Sequence, residues 1–200
     1  MRPLLTFAAL ATLAACGGAG VPVTNNPPVN PSPGDALSYG EIADISDEIF
    51  QGIRDESATP KADVPLSGRA NYAGTVGGEL SVGGRDTTIA ALMQMDVDFN
   101  TDRVGGLIGN VVTRGGSEID GTLSLRNGTL NRRSNSREVA IFSDVGGTLR
   151  SQAGERIDVD ANLVGGFAGR NVDYVGATID GNISVDGQRG TIDARTALER

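Results

Sequence analysis

The chain has 200 residues, 29 of them glycine, and a formal net charge of −8, a length that suits one domain with tails. The acidic balance excludes a nucleic-acid binder, because counterion release needs a basic surface. The sequence holds no histidine, which removes the commonest acid–base catalyst and metal ligand; one cysteine permits no intrachain disulfide, and aromatics at 4% leave the core to Val, Ile, Leu, Ala and Met.

The N-terminus reads as a signal and a tether. Met1 and Arg2 make a short positive start, Pro3 to Thr12 a mostly apolar run, and Leu13-Ala14-Ala15 supply the small residues that precede a signal cleavage site. The lone cysteine, Cys16, falls at that site. Leu-Ala-Ala-Cys resembles the bacterial lipobox, and the resemblance implies that residues 1–15 are removed and Cys16 becomes the acylated first residue. The rival readings are an ordinary signal peptide with an incidental cysteine, or a membrane anchor, for which the apolar run is short. Gly17 in place of Asp after the cysteine leads to an expected outer-membrane location in a Gram-negative cell. Two or more acyl chains would make the anchor stable, since each buried methylene contributes about 0.8 kcal/mol. Residues 16–37, rich in Gly and Pro, carry too few apolar side chains to offset the entropy of ordering and read as a disordered tether.

Next comes one amphipathic helix over about 39–55. Ser38 with Glu41 three positions on is a capping-box pair, and Ile42, Ile45, Ile49 and Ile53 recur at helical spacing, with Glu41, Asp44, Asp47 and Glu48 elsewhere. The stripe would plug or flank the body that follows, or serve as a docking stripe. Gly40 and Gly52 each weaken such a helix by about 1 kcal/mol relative to alanine. A linker to residue 67 holds Pro60 and Pro65.

From Gly68 the hydrophobic period becomes two. Ala70, Tyr72 and Gly74 share a face of a first strand that Gly77-Gly78 is expected to end; Leu80 and Val82 begin another. Ala91, Met93, Met95, Val97 and Phe99 alternate strictly against Leu92, Gln94, Asp96, Asp98 and Asn100. Further strands are expected at 104–112, from Ile119 to a hairpin turn at Asn127-Gly128, at 139–149, at 157–163, and over 175–194. Glu118 to Leu125 is echoed by Thr178 to Val185, and Gly128-Thr129-Leu130 by Gly190-Thr191-Ile192, as though one hairpin were used twice. Some eight short antiparallel strands must hide their edges, so the expected fold is mainly β, a small up-and-down barrel over 68–200, with a sandwich as alternative. A transmembrane barrel is not expected, because continuous apolar faces and aromatic girdles are missing.

A lipobox and Gly/Pro tether, Tyr72-x-Gly74 at the start of the body, a late Gly165-x-Phe167-x-Gly169 run, then Val175-Gly176-Ala177-x-Ile179 and a closing glycine hairpin together resemble the β-barrel domain of transferrin-binding protein B-like surface lipoproteins, a group that includes factor H binding protein. The resemblance covers about 68–195 and implies a barrel, a surface location and a binding role. It supplies no ligand, since no contact surface of that family matches here residue by residue.

Two constellations bear on chemistry. Asp96-x-Asp98-x-Asn100-x-Asp102 resembles the start of a calcium loop, but Thr101 stands where glycine is needed and Leu107 where glutamate is needed, so a solvated strand face is the default reading. Arg126, Arg132, Arg133 and Arg137 gather around a Ser/Asn-rich loop that is either solvated or the contact for an anionic or protein partner. Without histidine or a G-x-S-x-G elbow no nucleophile has a visible activator. No enzyme, cofactor or metal is expected. The expected partners are a membrane, through Cys16, and an unknown protein or small-molecule ligand. The expected function is a lipid-anchored, non-catalytic binding module; a periplasm-facing structural lipoprotein and a lipocalin-like carrier are the alternatives.

Overall fold

The computed structural model describes residues 36–133 and 136–200; the signal segment, Cys16 and nearly all of the tether lie outside the described residues. One helix, α1 (Tyr39–Asp55), precedes eight strands: β1 (Arg69–Val82), β2 (Arg85–Asp98), β3 (Arg103–Thr113), β4 (Glu118–Asn131), β5 (Ala140–Ser151), β6 (Arg156–Ala168), β7 (Tyr174–Val185) and β8 (Gln188–Glu199). Each pairs antiparallel with the next, and β1 pairs back with β8 to close the barrel. This is the up-and-down barrel expected from the alternation, and closure removes every sheet edge.

Alternation decides the two faces. Tyr72, Val76, Met93, Met95, Val97, Ile141, Val145, Leu163, Ile179 and Leu198 belong to one continuous core and are nearly inaccessible. Outward positions on the same strands carry Asp160, Asp180, Asp193, Arg189 and Arg195, a charged exterior unlike the apolar band of a lipid-facing barrel. Inward glycines set the curvature. A methyl group on Gly74 would collide with the Ala197 carbonyl of β8, and one on Gly106 with the Gln94 carbonyl of β2, so neighbouring strands approach there as closely as a residue without Cβ allows.

The strand bounds differ from expectation in two places. Gly77-Gly78 does not end β1, which stays paired on both sides through Val82; the ladders on β2 and β8 hold the glycines extended. Asn127-Gly128 is not a hairpin turn. It lies inside β4, where the register against β5 slips between Arg126 and Thr129 and Asn127 takes φ 53°. A positive φ serves a bulge as well as a turn, and the continued strand buries Leu130. The internal echo is therefore not one hairpin used twice: its first copy is a single strand, and its second crosses the β7–β8 turn at Asp186 and Gly187.

The capping box forms as expected. Ser38 N and Oγ donate to Glu41 Oε2 at 2.8 and 2.7 Å, and Glu41 N donates back to Ser38 Oγ at 3.4 Å; these bonds hold the Glu41 carboxyl below its usual range. The helix flanks the barrel, lying against β1, β2, β7 and β8. Ile42 packs on outward-facing Ala90, Leu92 and Val112, with Leu37 and Tyr39 beside it, and outward-facing Thr75 and Ala197 are buried as well. Asn110, at φ 47° in β3, accepts from Leu37 N and donates to Leu37 O, both at 3.0 Å, and so pins the start of the helix. Gly52 sits against the Tyr174 ring, where a Cβ would come within 2.7 Å of the hydroxyl. Its helix-weakening effect is offset by this close approach.

Residues 57–65 then cross one end of the barrel. Thr59 N donates to Phe167 O, Gly169 N to Ser57 O, and Lys61 N to Arg137 O, at 2.7–3.0 Å, while Thr59 Oγ1 donates to Gly169 O at 2.6 Å. Val64 is buried in the same core as Tyr72, Phe99, Phe167 and Val172. This end is closed by a strap of chain, whereas the tight turns after β1, β3, β5 and β7 surround the other end.

Candidate functional site

The four arginines singled out from the sequence do not form one cluster. Arg132 is structural. Its side chain, 15% exposed, donates through Nε to Asp102 Oδ1 at 2.6 Å and through Nη2 to Pro65 O at 2.6 Å, and so joins the end of β4, the β2–β3 turn and the strap. Arg126 projects outward from β4 and its guanidinium lies over Gly146 of β5, where the missing side chain makes room. Arg133 and Arg137 are exposed on the β4–β5 connection, with the backbone of Arg137 held by Lys61 N.

What the sequence reading missed is the apolar pair beside them. Phe142 on β5 and Val164 on β6 are directly opposed across the strands, face outward, and are 40% and 46% exposed. The signal was present: inward Ile141 and Val145 oblige Phe142 to point out. Following the register, Phe142 is opposed on its other side by Thr129 of β4, and Thr129 by Arg103 of β3. A concavity of about 520 Å³ lined by Thr101, Asp102, Thr129, Leu130, Asn131, Arg132, Arg133 and Phe142 opens on this shoulder. Among the described residues, Arg103, Arg126, Arg133 and Arg137 make no ion pair. Of the nearby carboxylates, Asp102 is engaged by Arg132, Asp144, opposite Arg126 in the register, accepts from Asn127 Nδ2 at 2.7 Å, and Glu138 is exposed next to Arg137.

The neighbouring row, toward the turn end, is acidic. Asp144 of β5, Asn162 of β6, Asp180 of β7, Asp193 of β8 and Glu79 of β1 occupy successive opposed outward positions. The exterior thus sets cations around Phe142 next to a row of carboxylates.

The acids of the calcium-like pattern are separately occupied. Asp98 Oδ1 accepts from Asn100 N and Nδ2 and from Thr101 N, and Oδ2 from Arg69 Nε, bonds that hold its carboxyl below the ordinary range, the Asn100 side chain contributing most. Asp102 turns to Arg132, while Asp96 faces solvent from β2. They form a turn, not a ligand set.

On β6, Arg156 and Thr148 both donate to Asp158 Oδ1, at 2.7 and 2.6 Å, and hold its carboxyl at about 2, the Arg156 hydrogen bonds contributing most. Because the charged form is favoured in the folded state, the stability this group adds is present above its ordinary pKa and lost as the pH falls toward 2. A carbon-13 NMR titration should place the Asp158 midpoint near 2, and Arg156→Ala should return it toward 3.8; an unmoved midpoint would contradict the assignment.

The lumen is filled by the core side chains, Met93, Met95 and Ile141 among them. Thr196 Oγ1, buried inside, donates to Met93 Sδ at 3.4 Å. At the turn end a depression of about 800 Å³ has Leu80, Val82, Ile119, Ile157 and Val185 for its apolar lining and Arg85, Glu118, Glu155 and glutamines at its rim. Leu80, Ile119 and Ile157 are at most 6% exposed, so it is a mouth above a packed interior.

These features define a closed, packed eight-stranded antiparallel barrel with a flanking helix and one basic–apolar shoulder. No family model matches the chain, and no curated protein matches it. Among solved structures, a double mutant of the vaccine antigen transferrin binding protein B from Haemophilus parasuis Hp5 is similar over 72% of this chain at 16% identity and a TM-score of 0.49. A single mutant of the same protein gives 16% and 0.47, and intact Ap-TbpB, with its N and C lobes, 15% and 0.48. The chain spans 28% of the length of each. These are the proteins whose barrel domain the glycine motifs resemble.

Proposed function

We propose that the protein is an outer-membrane lipoprotein, held by acylated Cys16, whose barrel is a non-catalytic module that binds a protein partner. The observation that carries the binding role is the shoulder around Phe142, where exposed apolar area and unpaired arginines coincide on a rigid scaffold. Aromatic and arginine side chains dominate the energetics of protein interfaces, and loops positioned by a sheet are where binding is usually built. The packed lumen favours an external contact over a lipocalin-like interior site. The anchoring role rests on Leu13-Ala14-Ala15-Cys16 and on the resemblance to the lipobox. The lack of histidine in the whole sequence supports a role without acid–base chemistry.

Metabolic labelling with an alkyne fatty acid tests the anchor. The wild-type protein should carry the label and fractionate with outer membranes, and Cys16→Ser should lose both properties; a labelled Cys16→Ser protein would refute lipidation at this residue. Protease shaving of intact cells then separates outward display, in which the protein is cut, from a periplasm-facing structural role, in which it survives.

A further inference from the structure

We infer that the Phe142 shoulder receives an acidic polypeptide segment that inserts one apolar side chain between flanking arginines; this deepens the binding-module reading and rests on it. Register places the parts. Arg103, Thr129, Phe142, Val164, Thr178 and Arg195 stand on β3 to β8 at successive opposed positions, one strand spacing of about 4.8 Å apart. The apolar pair thus lies mid-row, with an arginine beyond it on each side. In the adjacent row, toward the strapped end, Ala140, Gly166 and Gly176 are opposed on β5, β6 and β7. Their small side chains leave the sheet low beside Phe142 and Val164, with Ile53 of α1 facing Gly176, and Arg133 and Arg137 border this end from the β4–β5 connection.

Charge selects the occupant. In a chain of net charge −8, a face whose arginines make no ion pair steers acidic surfaces toward it. The exposed apolar pair decides between kinds of acidic partner. A polysaccharide or other pure polyanion would use the arginines and leave Phe142 and Val164 idle, whereas a polypeptide can satisfy both at once. The flanks of the site are held: Arg132 is tied to Asp102 and Pro65, and Arg137 O accepts from Lys61 N, which lowers the ordering that binding must supply there.

A randomised peptide library selected on the full-length protein in detergent tests this. Enriched sequences should be rich in Asp and Glu around a Leu, Phe or Trp, and their affinity should fall with salt. Phe142→Ala should weaken a selected peptide at least about tenfold, as for a hot-spot residue. Arg133→Ala with Arg137→Ala should weaken it similarly and flatten the salt dependence; all these positions are exposed, so circular dichroism should show wild-type folding. Neutral or basic selected peptides, or binding indifferent to Phe142→Ala, would overturn the inference. So would dextran sulfate binding as tightly to Phe142→Ala as to wild type, which would mark a polyanion surface. A protein crosslinked to the barrel on intact cells whose binding ignored both variants would sink this inference and leave the binding-module reading standing. Failure to detect any peptide or any crosslinked partner would sink both.

Discussion

Tyr72→Ala is expected to destabilise the protein by about 3–5 kcal/mol, the range for truncating a buried aromatic, and to open the strapped end of the barrel first. Tyr72 is 1% exposed. Its ring stands 6.1 Å from that of Phe167, which stands 6.0 Å from Phe99, so the ring is a shared wall of the only aromatic group within the described core. Its hydroxyl donates to Val172 O at 2.7 Å. Val172 is a β-branched residue at φ 55°, a conformation that costs on the order of 1–3 kcal/mol and persists only where the surroundings enforce it. Tyr72 supplies part of that enforcement. Tyr72→Phe, which keeps the ring and removes the hydrogen bond, should cost about 1–2 kcal/mol. Urea unfolding monitored by circular dichroism measures both. Burial also pushes the Tyr72 phenol well above its ordinary value of 10. The folded state therefore resists ionisation, and the stability present below pH 10 is lost as the pH rises above it. Tyr72→Phe should flatten that alkaline loss. A Tyr72→Phe cost near zero, or an unchanged alkaline slope, would show that the hydroxyl plays no part, and equal costs for Phe and Ala would show the same of the ring.

Much of the barrel was legible because a strand needs only period two to declare its faces. Ala91 to Phe99 alternate without a break, and in the structure those five positions face the core while Gln94 and Asp96 face out. Ser38 and Glu41 marked the helix start because a cap is a local device, complete within four residues. Asn127-Gly128 misled for the converse reason: a left-handed residue is a local requirement that turns and bulges share, and only the pairing partners on β5 decide between them. The arginines divide into different surroundings because the function of a long cation depends on what it meets across the fold. Arg132 meets Asp102 thirty positions away and Pro65 sixty-seven away, while Arg133, its neighbour in sequence, meets solvent. Phe142 could have been placed outside by counting from Ile141. Its value as a site emerged only when β6 set Val164 beside it.

Arg132→Ala carries the second large effect, and it separates architecture from recognition on the same shoulder. The substitution removes charge-assisted hydrogen bonds to Asp102 and Pro65 and a longer one, 3.4 Å, to Val64 O. Bonds to charged groups contribute about 1.5–3 kcal/mol each where water cannot replace them. Asp102 is 41% exposed and will be rehydrated, so the expected net loss is about 2 kcal/mol. Arg132→Lys should recover less than half, since a point charge on a flexible stem cannot address acceptors on the turn and the strap with the guanidinium fork's geometry. Hydrogen exchange locates the damage. The amides of Thr59 and Lys61, which donate to Phe167 and Arg137, should exchange faster as the strap loosens, while those of the β7–β8 ladder stay protected. Arg133→Ala, by contrast, should leave both stability and strap protection unchanged, since Arg133 offers its side chain only to solvent or to a partner. Peptide affinity should therefore fall in both variants for different reasons: through loss of a contact in Arg133→Ala, and through loss of preorganisation in Arg132→Ala. If Arg132→Ala leaves the strap amides protected, the clamp is not what holds this end of the barrel shut, and the fixed geometry assigned to the shoulder fails with it.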